Sequence, residues 1–403
     1  MKFQKIVKRL KNWFPKAQEQ LREQANELEA KLTDSELNPL TQEQLKPIQK
    51  DIAALPHPEP YQVAIRSRLT ELLTQWQQGN SGNCLVILCH STEDMNSLFH
   101  QTLSASSIDD SLVIHTLPWS HRPEDYSTIL TQLQQEIAPT EADKPPHQFR
   151  VIPDLSWCFL RCLYGLDGVE WLQETLFQDQ SQFWLIGCNY WAWQYLNCVY
   201  QWEAYFEEIM ELPALEALEI KHWLQPMMEQ LAFNFEDNSN SSQSEDSEEE
   251  EWDSKAERKY FERLAKESFG TPPTVAQLWL NSLRQQEPEE QEDTPEAHIT
   301  AESTSQPIIL ARVDLPKLPQ LTKADRYLLF SLGLHGNMTL NQLAVSLGDR
   351  ITLVAAGEGQ VQAQVQVLQR VGLIQNRQGW LSIAPIHYPR LERDLQDNQF
   401  LVD

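Results

Sequence analysis

"VILCHSTEDMNSLFHQTL", residues Val86–Leu103, runs from an apolar strand through a small polar turn into helical spacing. That is the outline of a loop that cradles phosphate. Such a loop needs G-x-x-x-x-G-K-[ST], with glycines to let the backbone wrap the phosphates, a lysine to reach them and a hydroxyl for Mg²⁺. Setting Ser97 on the hydroxyl position puts Asn96 on the lysine, Met95 on the second glycine and His90 on the first. Only the hydroxyl is kept, and Glu93 and Asp94 add negative charge beside it.

Working outward, "CLVILC" (84–89) is apolar throughout, as a strand covered on both faces should be. Further strands are predicted at 111–119, 148–155, 182–189 and 206–212, with helices at 95–104, 124–137, 166–177 and 190–206 between them. Alternating strands and helices imply a parallel α/β sheet of five strands. "VIPDLSW" ends the third strand on Asp154, with Leu155 after it. Asp154 stands where a Mg²⁺ ligand would stand, and equally where a residue caps the next turn. Asn189 ends the fourth strand, where a polar side chain orients a water or caps a helix.

The order of these pieces resembles an AAA+ or STAND-type P-loop ATPase of the origin-recognition-like branch. "CLVILCHSTEDMNSL" matches the Walker A strand and loop, "FRVIPDL" Walker B, and "FWLIGCN" the sensor-1 strand. "FEEIMELPALEALEIKHWL" is similar to the entry into a helical lid, and "ERLAKESFGTPPTVAQLWLNSL" to the lid helices that carry sensor 2. The resemblance covers roughly residues 60–403 and implies a nucleotide held at Asn96, Ser97, Asp154 and Asn189. The departures are as informative. Asn96 replaces the lysine, a second acid is missing after Asp154, and Gln201–Glu203 stand where an arginine finger is implied. "GTPPTVAQLW" contains no sensor-2 arginine. Phosphoryl transfer depends on such placed charges, so the four positions read as vestigial. No ATP or ADP cofactor, no metal and no catalysis are expected.

The remaining chain divides into an N-terminal helical arm (1–55), the α/β domain (56–213), a lid (214–286) with an acidic insert (235–254), an acidic linker (287–306) and a C-terminal domain (307–403). In the last, helices at 323–332, 339–348 and 360–371 precede a predicted hairpin at 372–385, the order of a winged helix. Its third helix carries five glutamines and one base, and residues 317–403 hold eight Lys or Arg against seven acids. That balance lacks the cations that grip a nucleic-acid backbone.

The net charge is −26, and 16 of those charges sit in the runs 235–253 and 285–303, which contain no base. Residues 1–16 carry six bases beside Phe3, Ile6, Trp13 and Phe14, the make-up of an arm that packs on protein or lies on an anionic membrane. The six cysteines lie in apolar or aromatic stretches and read as reduced, buried thiols of a cytoplasmic protein. The segment 189–206 has eight aromatic residues and serves either as core or as a partner surface. The sequence therefore implies a non-hydrolysing adaptor or regulator binding protein through the winged helix, the lid or 189–206, with residues 1–16 as a candidate membrane contact. The alternatives are a nucleotide-binding switch without turnover and a DNA-binding regulator.

Overall fold

A computed structural model describes residues 37–79, 82–104, 112–137, 148–231, 252–286, 308–348 and 358–400. The basic segment 1–16, nearly all of both acidic runs and the C-terminal three residues lie outside this set, so the readings placed on them do too.

Five parallel strands form the central sheet: β2 (Cys84–Cys89), β3 (Val113–Thr116), β4 (Gln148–Ile152), β5 (Gln182–Asn189) and β6 (Ile209–Glu211). Their spatial order is β3-β4-β5-β2-β6, every neighbouring pair parallel. The expected P-loop-like α/β sheet is present. All eight residues of β5 are buried, as are five of the six in β2, which explains their unbroken apolar character. The edge strand β3 keeps only four residues, all exposed, and β6 only three, short edges that resist further pairing. The predicted ends at 111–119 and 206–212 are trimmed accordingly. Gly187 in β5 is required by packing: a Cβ there would lie 2.1 Å from the carbonyl oxygen of Pro153.

The connections set the site. From β2 the chain crosses through α3 (Met95–Ser104) to the far edge strand β3, whereas from β5 it passes over β2 to β6 on the other side. The strand order therefore reverses between β2 and β5, and ligands of open α/β sheets bind outside the carboxyl ends of strands at such a point. Helices α2 (Glu59–Gln77), α4 (Ile129–Ile137), α5 (Asp167–Gln178) and α6 (Tyr190–Tyr200) accompany the sheet. The predicted helix 190–206 stops at Tyr200 because Gln201 takes a left-handed conformation, φ 54°, and a short 3₁₀ turn follows at Trp202–Tyr205.

The C-terminal segment consists of α10 (Lys323–His335), α11 (Leu340–Leu347), α12 (Glu358–Arg370), the antiparallel hairpin β9 (Ile374–Arg377) and β10 (Trp380–Ile383), and α13 (Tyr388–Asp397). Thr322 and Thr339 each close a reciprocal capping box, fixing where α10 and α11 begin. A bidentate ion pair from Arg326 to Asp394, at 2.6 and 2.9 Å, ties α10 to α13. The apolar core of the sheet runs without a break into Leu328, Leu332, Leu343 and Leu391 of this segment.

The described residues among 55–223, 264–277 and 315–403 thus form one compact unit. The other unit contains the described residues among 1–54, 224–263 and 278–314. In it α1 (Gln42–Ala53) follows β1 (Leu37–Pro39), and β1, β7 (Leu283–Gln286) and β8 (Ile308–Leu310) make an antiparallel sheet in the order β1-β7-β8. The sequence reading placed a helical arm, the end of a lid helix and the start of the last domain at these positions. β1 and β7 are far apart in the chain, β7 and β8 are separated by the stretch read as an acidic linker, and their residues, LNP, LRQQ and IIL, show no strand alternation. The lid helices α7 (Ala217–Leu231), α8 (Lys255–Ser268) and α9 (Pro272–Ser282) each carry residues of both units.

No helix among the described residues is long and apolar enough to cross a membrane. All six cysteines are free, with Cys89, Cys158 and Cys188 buried. Cys198, read from sequence as buried, is exposed on α6 beside Val199.

Candidate functional site: the crevice at the carboxyl ends of the sheet

Each residue singled out from the sequence has a defined place. Asn96 and Ser97 lie in the first turn of α3, where Asp94 accepts the Ser97 N–H at 3.0 Å. The Ser97 hydroxyl accepts from Gln101 at 3.4 Å, and Gln101 in turn accepts the His57 N–H at 2.9 Å. Asp154 caps the 3₁₀ turn Leu155–Cys158, accepting the Ser156 N–H at 2.8 Å. Asn189 caps α6, its Oδ1 accepting from Ala192 N–H at 2.9 Å.

Two of the four meet a common neighbour, the end of α10. Asn189 Nδ2 donates to the Leu334 carbonyl at 3.2 Å. The Ser156 hydroxyl, beside Asp154, donates to the His335 carbonyl at 3.2 Å. Gly336, at φ 70°, turns the chain just beyond, where an added Cβ would come within 3.8 Å of Asp154 Oδ2. Asn96 and Ser97 take no part in this cluster.

At its centre stands Arg122, 1% exposed and absent from the sequence reading. Its Nε donates to Phe159 O at 2.7 Å and its Nη1 to Asn337 O at 3.2 Å; Nη2 donates to Ser156 O and, at 3.4 Å, to His335 O. The last carbonyls of a helix have no partner within it and carry its partial negative charge. Asn189, Ser156 and Arg122 therefore serve as a C-cap for α10 supplied by the sheet. Desolvation presses the guanidinium down to about 10, partly offset by Asp154. Burial raises the Asp154 carboxyl in spite of Ser156 and Arg122.

His335 lies in the same knot. Its Nε2 accepts the Arg161 N–H at 3.2 Å, and Arg122 Nη2 sits 3.1 Å from Nδ1. Burial and two nearby cations hold the ring neutral, far below its usual range. Trp191 fills the adjacent space. Its indole stacks on Tyr388 and on Phe330, with ring centroids 5.3 and 6.2 Å apart, and presses on the bare backbone of Gly333. Gln342 Nε2 donates to the Pro123 carbonyl at 2.8 Å, and His121 stacks on Trp380 at 4.5 Å.

The loop 90–94 completes the surroundings. His90, Thr92 and Glu93 each have a buried side-chain atom with no hydrogen-bond partner. Burial, with Asp94 nearby, pushes the Glu93 carboxyl up to about 8, and burial pushes His90 down to about 4. A cavity of about 250 Å³ beside His90 is bordered by Glu211 and Glu392. Cradling a triphosphate requires donors and positive charge. Here the crevice contains the negative end of a helix, and its central cation is committed to carbonyl oxygens. No cluster of metal-ligating side chains occurs among the described residues.

Signals for the missed residues were weak. Arg122 lies in a polar turn, "SHRPED", and Gly333 in "SLGLHGN", neither of which has recognisable spacing.

No family model and no curated protein matches this chain. Solved structures do. The Aeropyrum pernix ORC2 protein (ADPNP-ADP complexes) is 11% identical, with a TM-score of 0.36 over 86% of this chain and 97% of that one. The Thermotoga maritima RuvB Holliday junction branch migration motor is 15% identical, TM-score 0.30, over 84% and 95%. CDC6P from Pyrobaculum aerophilum is 10% identical, TM-score 0.32, over 86% and 96%. These likenesses concern the fold, and TM-scores this low carry nothing about chemistry.

Proposed function

We propose that this chain is a non-hydrolysing protein of AAA+ type that acts as a protein-binding adaptor or regulator. One observation carries the reading: the carboxyl-end crevice, where a nucleotide would be expected, receives the C-terminal end of α10, capped by Asn189, Ser156 and Arg122. A triphosphate entering there would meet helix carbonyls and displace at least three hydrogen bonds. It would find no lysine in the loop 90–97. Asp154 acts as a cap, and its position near Arg122 offsets a buried charge rather than orienting Mg²⁺.

With the crevice closed, the chain's outer surfaces are left for work. The winged-helix-like segment, the lid, and the outer face of α6 with the 3₁₀ turn after it, where Val199 is 46% and Tyr205 51% exposed, are the surfaces available for protein partners. The test is direct. Phosphate release from Mg·ATP and calorimetric titration with ATP and ADP are measured on the full chain, and neither turnover nor saturable binding is expected. Turnover that disappears in Asp154→Ala would overturn the proposal. Micromolar nucleotide binding without turnover would replace it with a switch.

A further inference from the structure

We infer that the chain carries a binding site for a small oxyanion, a phosphate or carboxylate group, on one face of the sheet at β3 and β4, lined by none of the residues of the crevice cluster. The strand register places His115, Arg150 and Trp184 side by side on one face of the sheet. They border a cavity of about 130 Å³, with Leu117, Ile137 and Glu136 among its other walls. That volume holds one tetrahedral anion and excludes a nucleotide, for which pockets of roughly 300 Å³ or more are usual.

Arg150 is the carrying residue. It is 7% exposed, and among the described residues no carboxylate lies within ion-pairing distance of it. Burial lowers its pKa, and Asp179, beyond the Gln182 amide, offsets that only in part; a buried cation with no anion in contact is costly, so such groups are normally paired. Its Nε donates to Gln182 Oε1 at 2.9 Å and its Nη2 to Gln148 Oε1 at 2.8 Å. Asp179 holds the other end of the Gln182 amide at 2.5 Å, which turns the oxygen toward the guanidinium. The head group is therefore pinned by two neutral acceptors, with Nη1 left over. Arg122 shows the contrast, since all three of its nitrogens are engaged by carbonyl oxygens.

Trp184 supplies a second, independent donor. The residue is 0% exposed and its indole N–H has no partner. A leftover guanidinium nitrogen and an orphaned indole N–H on neighbouring strands both call for an acceptor, and an oxyanion supplies acceptors with the compensating charge. Glu136 stands exposed at the cavity wall and opposes an anion. Its effect is that of a solvated charge, weaker than a buried one.

The experiment is calorimetric titration of the full chain with inorganic phosphate at constant ionic strength in chloride, with acetate titrated in parallel to separate phosphate from carboxylate. One saturable site is expected for at least one of the two. Arg150→Gln should weaken it tenfold or more, on the order of one charge-assisted hydrogen bond. Glu136→Gln alters only an exposed side chain and should tighten binding about threefold. Absence of saturation with both anions overturns the inference. So does an affinity unchanged in Glu136→Gln, which remains decisive even where Arg150→Gln fails to fold.

Discussion

Replacing Gly333 by alanine tests whether α10 is seated in the crevice. Gly333 is inside α10, and an added Cβ would lie 1.8 Å from Trp191 Cζ3 and 1.9 Å from Cε3. Carbon atoms in contact prefer about 3.5–4.0 Å, so the indole must withdraw by roughly 2 Å. It has little room to do so, because Tyr388 and Phe330 stack upon it. Overpacking of this kind costs about 1–3 kcal/mol, and a clash this close belongs at or above the upper end. Alanine in place of glycine within a helix returns about 1 kcal/mol. The expected net is a loss of about 2 kcal/mol, or roughly 4–8 °C in Tm for a cooperative unit of this size. Thermal unfolding followed by far-UV circular dichroism measures it, and the near-UV signal should change because Trp191 shifts. In a Trp191→Phe background, which removes the six-membered ring edge, the cost should shrink, giving a coupling of about 1 kcal/mol or more. A Tm that rises in Gly333→Ala, as for a glycine on an exposed helix, would refute the docked arrangement.

Glu93→Gln should change how stability depends on pH. The Glu93 carboxyl rises from 4.5 to about 8 on folding, so the unfolded chain loses its proton first. Its contribution is complete below about pH 4.5 and is lost as pH climbs through about 8; the variant should match the parent near pH 4.5 and exceed it by about 1 kcal/mol or more at pH 8.5, read from urea midpoints. His90 works in the opposite direction. Its folded value of about 4 against 6.5 means stability present above 6.5 and lost as pH falls toward 4, and His90→Asn should flatten that acid limb. Arg122→Met should cost about 3–5 kcal/mol in denaturant unfolding, because the carbonyls of Ser156, Phe159 and Asn337 lose their donor, and Arg122→Lys should recover little, lacking the fork. Thiol labelling of the native chain should reach Cys198 first and leave Cys89, Cys158 and Cys188 unreacted until unfolding; early labelling of Cys188 would contradict its place in β5.

The sheet was legible in the sequence because its determinants are local. "CLVILC" and "QFWLIGCN" are apolar along their whole length since both faces are covered, and each is followed by a polar residue and a helix. The capping roles of Asp154 and Asn189 could be weighed for the same reason, since a cap bonds two or three residues onward. The missing lysine at Asn96 needs no structure at all. Contacts between distant segments left no such trace. Arg122 joins residues more than two hundred positions away in α10 and its following turn, through backbone carbonyls that every residue possesses. Gly333 is demanded by one indole ring, and β1 finds β7 with Leu37 opposite Gln286, well over half the chain away. Periodicity and motif spacing report what a residue needs from its near neighbours, whereas hydrogen bonds to main chain and ring-to-backbone packing depend on which surfaces folding brings together. The sequence alone thus settled the parallel α/β scaffold and the absence of a lysine from the loop after β2. Only the tertiary structure decided what stands at the carboxyl ends of the strands: a helix terminus of the same chain, held by a buried arginine.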